Sequence, residues 1–224
     1  MQRAVVIFSG GLDSLCTSAY LMSRYELYAI TFSYGQRASK EIKIAKRFAK
    51  VLSLKEHKIL DISFMRTLYE ETNVLTSTKK KMPEKFDYSI VAPVRNAIFL
   101  SIASAWAFTK NASVVALGAH QGDQNYPDCR PSFSRMFEDA LNQGEVDGIK
   151  SRIRKKIKIW SPFVEKLSKS DLLKIGYELL GDEVFKTWSC YKNGKIHCGK
   201  CESCNNRRGA FAKAGITDKT KYKV

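Results

Sequence analysis

Short apolar runs rich in Val, Ile and Leu alternate with stretches of helical periodicity along most of the chain. The runs predict strands over residues 3–8, 28–32, 56–60, 113–118 and 157–160. The stretches between and after them predict helices over 13–24, 39–52, 95–109, 131–142 and 168–180. In "KEIKIAKRFAK", Ile42, Ile44, Ala45, Phe48 and Ala49 share one helical face and leave the basic residues to solvent. This succession of apolar strands and helices predicts an α/β fold, a doubly wound, mostly parallel sheet covered by helices on both faces. Between 63 and 94 the periodicity fails, and "STKKKMPEKF" reads as a mobile loop of the kind that often forms a lid. Residues 186–224, rich in Cys, Gly and Asn, are expected to form a loop-like appendage pinned by metal, beside an α/β domain over 1–185.

With 224 residues the chain is long enough for one full domain and such an appendage. It opens directly on a strand pattern rather than a secretory signal, and no apolar run reaches the roughly 18 residues of a membrane span. A cytoplasmic protein without membrane partners is therefore expected. Lys and Arg outnumber Asp and Glu by 38 to 22, a net charge of +16. Such a field attracts polyanions and keeps a nucleic acid or protein substrate open as a partner; lysines that merely solvate helix faces are the plainer reading. The densest basic run is "KSRIRKKIK", residues 150–158.

The loop "SGGLDS" follows the first strand and opens the first helix. Glycines allow a sharp turn there, so successive N–H groups and the positive helix end converge on one point and bind an oxyanion. Phe8, Ser9, Gly10, Gly11, Leu12, Asp13, Ser14, Leu15 and Cys16 make up this candidate nucleotide loop. A simple strand-to-helix turn would also use a Gly–Gly pair. The lysine of G-x-x-x-x-G-K-[ST] is missing, which disfavours phosphoryl transfer.

Cys190, Cys198, Cys201 and Cys204 follow the spacing C-x7-C-x2-C-x2-C. In a reducing compartment this clustering favours a metal over disulfides, and four thiolates close a tetrahedral site with no open position for water. Zinc in a structural role is expected, with an iron–sulfur cluster as the minor alternative. His197 beside the cluster reads as a bystander, His57 carries no signal, and Cys129 reads as a packing residue.

"SGGLDS" matches the S-G-G-x-D-S signature of the PP-loop ATP pyrophosphatases. Together with "SYGQRASKE", "APVRNAIFLSIASAWA", "GAHQGDQNYPDCRPSF" and "TWSCYKNGKIHCGKCESCNNRRGAFAKAGITDKTKY", it closely resembles the 7-cyano-7-deazaguanine synthases of the queuosine precursor pathway. The resemblance runs from about residue 4 to 222 and is interrupted over 63–91 and 145–156. It implies a PP-loop, adenine nucleotide alpha hydrolase-like fold and an ATP-dependent ligase. In that ligase 7-carboxy-7-deazaguanine is activated as a carboxyl adenylate, ammonia gives the amide, and ATP-driven dehydration gives the nitrile. Mg2+ is expected with ATP.

Carried over by matched position, Asp13, Ser14, Arg95 and Lys169 are the implied catalytic residues. Arg95 would bind phosphate or the substrate carboxylate; Lys169 lies near pyrophosphate or is an exposed first-turn residue. Asp123, Tyr126, Asp128 and Arg130 are implied substrate contacts, with Asp123 or Asp128 reading the base; Asp128 in a rigid turn as a helix cap is the plainer reading. Arg207 and Arg208 would reach the active site or a neighbouring subunit, and a homodimer is compatible. Val94 stands where the family shows Gly or Ala, and "DQNYPDCR" is a residue shorter than usual and lacks the family's glycine. These departures leave two alternatives, a paralogue joining the deazaguanine acid to a macromolecular amine and a tRNA- or DNA-modification subunit.

Overall fold

The apolar runs pair as one five-stranded parallel sheet in the computed structural model, which describes residues 1–223. The strands are β1 (Gln2–Ile7), β2 (Tyr25–Ser33), β3 (Glu56–Asp61), β4 (Val114–Ala116) and β5 (Lys158–Trp160), in the spatial order β3-β2-β1-β4-β5. Every pairing is parallel, with Val5 opposite Tyr28 on one side and Val115 on the other. The helices are α1 (Leu12–Leu21), α2 (Lys40–Val51), α3 (Met65–Tyr69), α4 (Arg95–Thr109), α5 (Pro131–Gly144), α6 (Val146–Lys150), α7 (Lys169–Leu180) and α8 (Glu202–Ala214).

Strand periodicity sorts the side chains between two layers. Val5, Ile30, Phe32, Val115 and Ile159 pack on Phe99, Leu100, Ala103 and Ala107 of α4. The alternate positions Ala4, Val6 and Ala116 meet Leu21 of α1, and Ala29 meets Ala45 and Phe48 of α2. This doubly wound arrangement agrees with the predicted elements, and all five strands fall within a few residues of their expected places.

The differences are informative. Tyr88–Thr109 is apolar enough over 22 residues to cross a membrane by length and composition, contrary to the sequence expectation, but half of its most apolar stretch is buried inside the protein. The tail is not loop throughout: α8 is helical and sends Ala210 and Phe211 against Leu12 and Cys16 of α1 and Leu172 and Leu173 of α7. Nor is 63–94 an unpacked loop. Val74, Leu75, Met82 and Ile90 share a core with Trp188, Cys190, Cys201 and Cys204, which fastens this segment to the tail.

The chain leaves β1 toward β2, while β4 flanks β1 on the other side, so the strand order reverses between β1 and β4. A crevice opens at the carboxyl ends of such strands. It receives the loop after β1 and the segment Gly118–Asp123 after β4. The two lie so close that a Cβ on Gly118 would stand 3.1 Å from the Asp13 carbonyl carbon and the Ser14 nitrogen.

Candidate active site

"SGGLDS" forms a closed turn around its own hydroxyls. Ser9 N donates to Ser14 Oγ at 3.2 Å, Gly11 N donates to Ser9 Oγ at 3.2 Å, and Ser14 Oγ donates to the Gly11 carbonyl at 3.1 Å. Gly10 has φ +83°, and a Cβ there would lie 2.5 Å from the Glu41 carbonyl oxygen. Only glycine lets the loop rest on the first turn of α2 in this way. Gly11 then caps α1 with no side-chain hydrogen bond, leaving first-turn amides available to an anion.

Asp13 follows in the first turn of α1, where its Oδ2 accepts from Lys169 Nζ at 2.7 Å and its Oδ1 lies 3.7 Å from His120 Nε2. Lys169 is held there by a capping box at the start of α7, in which Ser168 and Asp171 satisfy each other's backbone N–H. Its side chain is only 16% exposed, so it is not a solvated first-turn lysine. Burial opposes ionisation of Asp13, but Lys169 and then His120 outweigh it and hold the carboxyl below its ordinary range. Burial likewise opposes the charge of Lys169, and Asp13 overcomes it. Asp123 differs: burial dominates and pushes its carboxyl up, although His120 lies beside it and His120 N donates to its Oδ2 at 2.9 Å.

These residues line one cleft of about 840 Å3, which also takes in Arg95, Asn96, Tyr34, Gln36, Glu41, Tyr126, Tyr191 and Glu202. Arg95 opens α4; its Nη1 lies 3.5 Å from the Tyr34 hydroxyl, and its Nε is buried without a partner. Tyr126 meets Phe86 edge to face at 5.4 Å. Phe86, with Glu84 and Lys85, brings the 63–94 segment to the cleft wall.

Asp128 and Arg130 are placed elsewhere. Asp128 Oδ2 accepts from Asn96 N at 3.1 Å, capping α4, and exposed Arg130 donates to the Gln124 carbonyl at 2.9 Å. Cys129 lines the cleft, accepts from Asn96 Nδ2 at 3.3 Å, and burial pushes its thiol far above the usual range. Nor do Arg207 and Arg208 line the cleft. Arg207 is fully buried and donates to Thr187 Oγ1, Ser189 Oγ, Thr220 Oγ1 and the Val184 carbonyl, without a carboxylate in ion-pair range among the described residues. Its fork ties the chain on both sides of the cysteines to α8. Arg207→Lys offers fewer donors to these acceptors and is expected to cost about 2–4 kcal/mol, read as a lower urea midpoint.

Val94 explains one departure from the family pattern. It has φ +48° and ψ +22°, a left-handed conformation costly for a β-branched side chain, and is 63% exposed, so it gains little from packing. Val94→Gly relieves roughly 1–2 kcal/mol of strain against roughly 0.5–1 of added chain entropy. A small rise in thermal midpoint is expected.

The four cysteines converge. Their sulfurs lie within 4.8 Å of one another, with Cys198 to Cys204 at 3.8 Å and Cys190 to Cys201 at 4.0 Å. Bonds of about 2.3 Å to a tetrahedral zinc require sulfurs about 3.8 Å apart, so the set fits a metal ion. Backbone N–H groups of Lys192 and Cys198 point at Cys190 Sγ, and that of Cys201 at Cys198 Sγ, each at 3.4 Å, as thiolates require. His197 stays out of the cluster; its Nε2 accepts from Ser189 N at 3.2 Å and its ring packs tilted against Trp188, with ring centres 4.4 Å apart. Trp188 N donates to the Gly10 carbonyl at 3.2 Å, which joins the cysteine segment to the nucleotide loop.

Sequence reasoning passed over several of these wall residues. His120 ends the β4 loop, where position alone was a signal, and Glu41 closes the quoted "SYGQRASKE". Tyr191 and Glu202 sit among the cysteines with no separate mark.

A parallel sheet with an S-G-G-x-D-S loop at its point of reversal and a four-cysteine cluster beside it defines a PP-loop-type ATP-using protein. The chain belongs to the family described as queuosine biosynthesis protein QueC, whose model matches residues 3–215. It is 38% identical over 229 residues to a 7-cyano-7-deazaguanine synthase of Caldicellulosiruptor bescii, covering 99% of this chain and 98% of the relative. It is likewise 38% identical over 227 residues to the synthase of Thermoplasma acidophilum, covering 99% and 92%. Among solved structures it is similar to a predicted subunit of tRNA methyltransferase from Methanocaldococcus jannaschii. That match has TM-score 0.50 and 17% identity over 97% of this chain and 91% of the other, a likeness of fold.

Proposed function

We propose that this protein converts 7-carboxy-7-deazaguanine and ammonia to 7-cyano-7-deazaguanine, using ATP to activate first the carboxylate and then the amide. One observation carries the reading: a single cleft joins the "SGGLDS" loop, Arg95 and Tyr126, in a chain whose relatives are named synthases of this nitrile. The cleft volume of about 840 Å3 is near the top of the roughly 300–1,000 Å3 usual for ligand sites, which suits a nucleotide and a base together.

The loop amides with Ser9 and Ser14 hold the ATP phosphates, and Lys169 adds positive charge where pyrophosphate leaves. Arg95, with an unpartnered Nε and a planar fork, orients the substrate carboxylate toward the α-phosphorus. Tyr126 offers a ring for the deazaguanine to stack on. Asp123, in the same cleft with one oxygen on His120 N, accepts from N1–H and the exocyclic amine. A carboxylate conjugated to an electron-rich ring is a poor electrophile, so the adenylate requires a cleft that shields it from water.

Asp13 Oδ1 is buried without a hydrogen-bond partner, which suits a cation accompanying the polyphosphate; it would hold Mg2+, which neutralises phosphate charge. The four thiolates would hold zinc in a structural role. A macromolecular acceptor is not favoured, and no residue of the basic run 150–158 lines the cleft. The test is an 18O-labelled substrate carboxylate: the label is expected in AMP, whereas label-free AMP, or ADP as product, would overturn the reading.

A further inference from the structure

The stretch "SYGQRASKE" sends Tyr34, Gln36 and Glu41 to the cleft wall, and none of the roles above uses Glu41. Glu41 lies in the first turn of α2, the turn on which Gly10 of the nucleotide loop rests. Its carboxylate is therefore on an element braced directly against the phosphate end. Gln36 fixes it from the other side. The Gln36 Oε1 accepts from Tyr34 N at 2.8 Å, and its Nε2 donates to the Phe32 carbonyl at 3.1 Å and to Glu41 Oε1 at 3.0 Å. The amide is pinned by backbone at the end of β2, so one Glu41 oxygen is held and the other, Oε2, has no hydrogen-bond partner among the described residues.

The cleft's other buried or half-buried carboxylates are saturated by partners or already have a place in the reading above, Asp13 at the phosphates and Asp123 at the base. Both Glu202 oxygens accept, from Tyr191 Oη and Asn206 Nδ2, and Asp13 is paired with Lys169. Asp123 Oδ2 accepts from His120 N. We infer that Glu41 is the base that takes the N–H protons in the nitrogen steps of the reaction, through Oε2. The inference rests on the nitrile-forming reading above.

In the first step, ammonia adds to the acyl carbon of the adenylate; a C–N bond forms, the C–O bond to AMP breaks, AMP leaves with the electron pair, and Glu41 takes the proton from nitrogen. In the second, the amide oxygen attacks a second ATP and pyrophosphate leaves. The nitrogen gives up its two protons in turn as the remaining C–O bond breaks, AMP departs and the C–N triple bond forms. Glu41 returns each proton to water through the cleft. Its environment suits this task. Burial pushes the carboxyl up to about 7, and the opposing pull of Gln36 and then Arg95 is smaller. Arg95 and Tyr34 are the charged and titratable groups coupled to it, and Glu84 and Lys85 line the same cleft. A base with a pKa near the working pH combines availability with strength.

Glu41→Gln keeps the volume and an acceptor for Gln36. It is expected to leave substrate-dependent pyrophosphate–ATP exchange within about threefold of wild type while lowering amide formation by roughly 10²–10⁴-fold. Plotted against free ammonia, the wild-type amide rate rises with pH through about 7 as Glu41 ionises, and this limb is lost in the Gln variant. Glu41→Asp, which keeps a carboxylate of shorter reach, retains the limb at a lower rate. Amide formation in Glu41→Gln within tenfold of wild type, parallel loss of exchange, or an Asp variant without the limb would each overturn the inference. Wild-type protein that makes no amide or nitrile would instead defeat the parent reading.

Discussion

Asp13→Ala is expected to lower substrate-dependent pyrophosphate–ATP exchange by roughly 10³-fold, the scale of losing one preorganised charged group in a site that stabilises developing charge. Asp13 joins three parts of the site: the first turn of α1, Lys169 at the start of α7 and His120 after β4. Without its carboxylate, Lys169 loses the partner that holds its charge against burial, and the Oδ1 position suited to a cation disappears. Lys169→Ala should produce a similar defect, and the double variant should be little worse than either, because the two act as one unit. The thermal midpoint should fall as well, because Asp13→Ala strands a largely buried ammonium, so exchange is compared at a temperature where both proteins remain folded. Asp13→Ala with near wild-type exchange would remove it from the phosphate site.

Cys201→Ala is expected to lose the bound metal and much of the stability of the tail. A broken four-thiolate site strands three ligands. If it forfeits about 4 kcal/mol of the roughly 10–16 kcal/mol such sites supply, the midpoint falls by about 8–16 °C at this chain length. The loss should reach ATP binding, because Trp188, two residues before Cys190, donates to the Gly10 carbonyl, and Met82 and Ile90 pack on the same cluster. Metal content by mass spectrometry and calorimetry check the result, with Cys129→Ala, a cysteine outside the cluster, retaining its metal. An unchanged metal content in Cys201→Ala would refute the assignment.

The parts of this molecule legible in its sequence are those governed by local rules. Strand and helix periods gave the parallel sheet, the Gly–Gly pair marked the turn after β1, and the cysteine spacing marked a metal cluster. The parts that were not legible depend on tertiary placement. α8 was hidden because its sequence, "ESCNNRRGAFAKA", shows no clear apolar stripe, and its buried Arg207 is satisfied by hydroxyls far away in the chain. The 63–94 segment has no periodicity because it packs irregularly on the cysteine tail. Asp128 looked equal to Asp123 in "DQNYPDCR", yet the fold turns Asp128 onto the start of α4 and Asp123 into the cleft. The role drawn for Glu41 likewise needed the fold, since only there do Gln36, Arg95 and the nucleotide loop surround one carboxylate.

The central claim is tested most directly by incubating metal-replete protein with ATP, Mg2+, 7-carboxy-7-deazaguanine and 15N-ammonium and following products by mass spectrometry. The account predicts the 15N-amide and then the 15N-nitrile, with AMP and pyrophosphate released at each activation. Unchanged substrate with no AMP formed would contradict it.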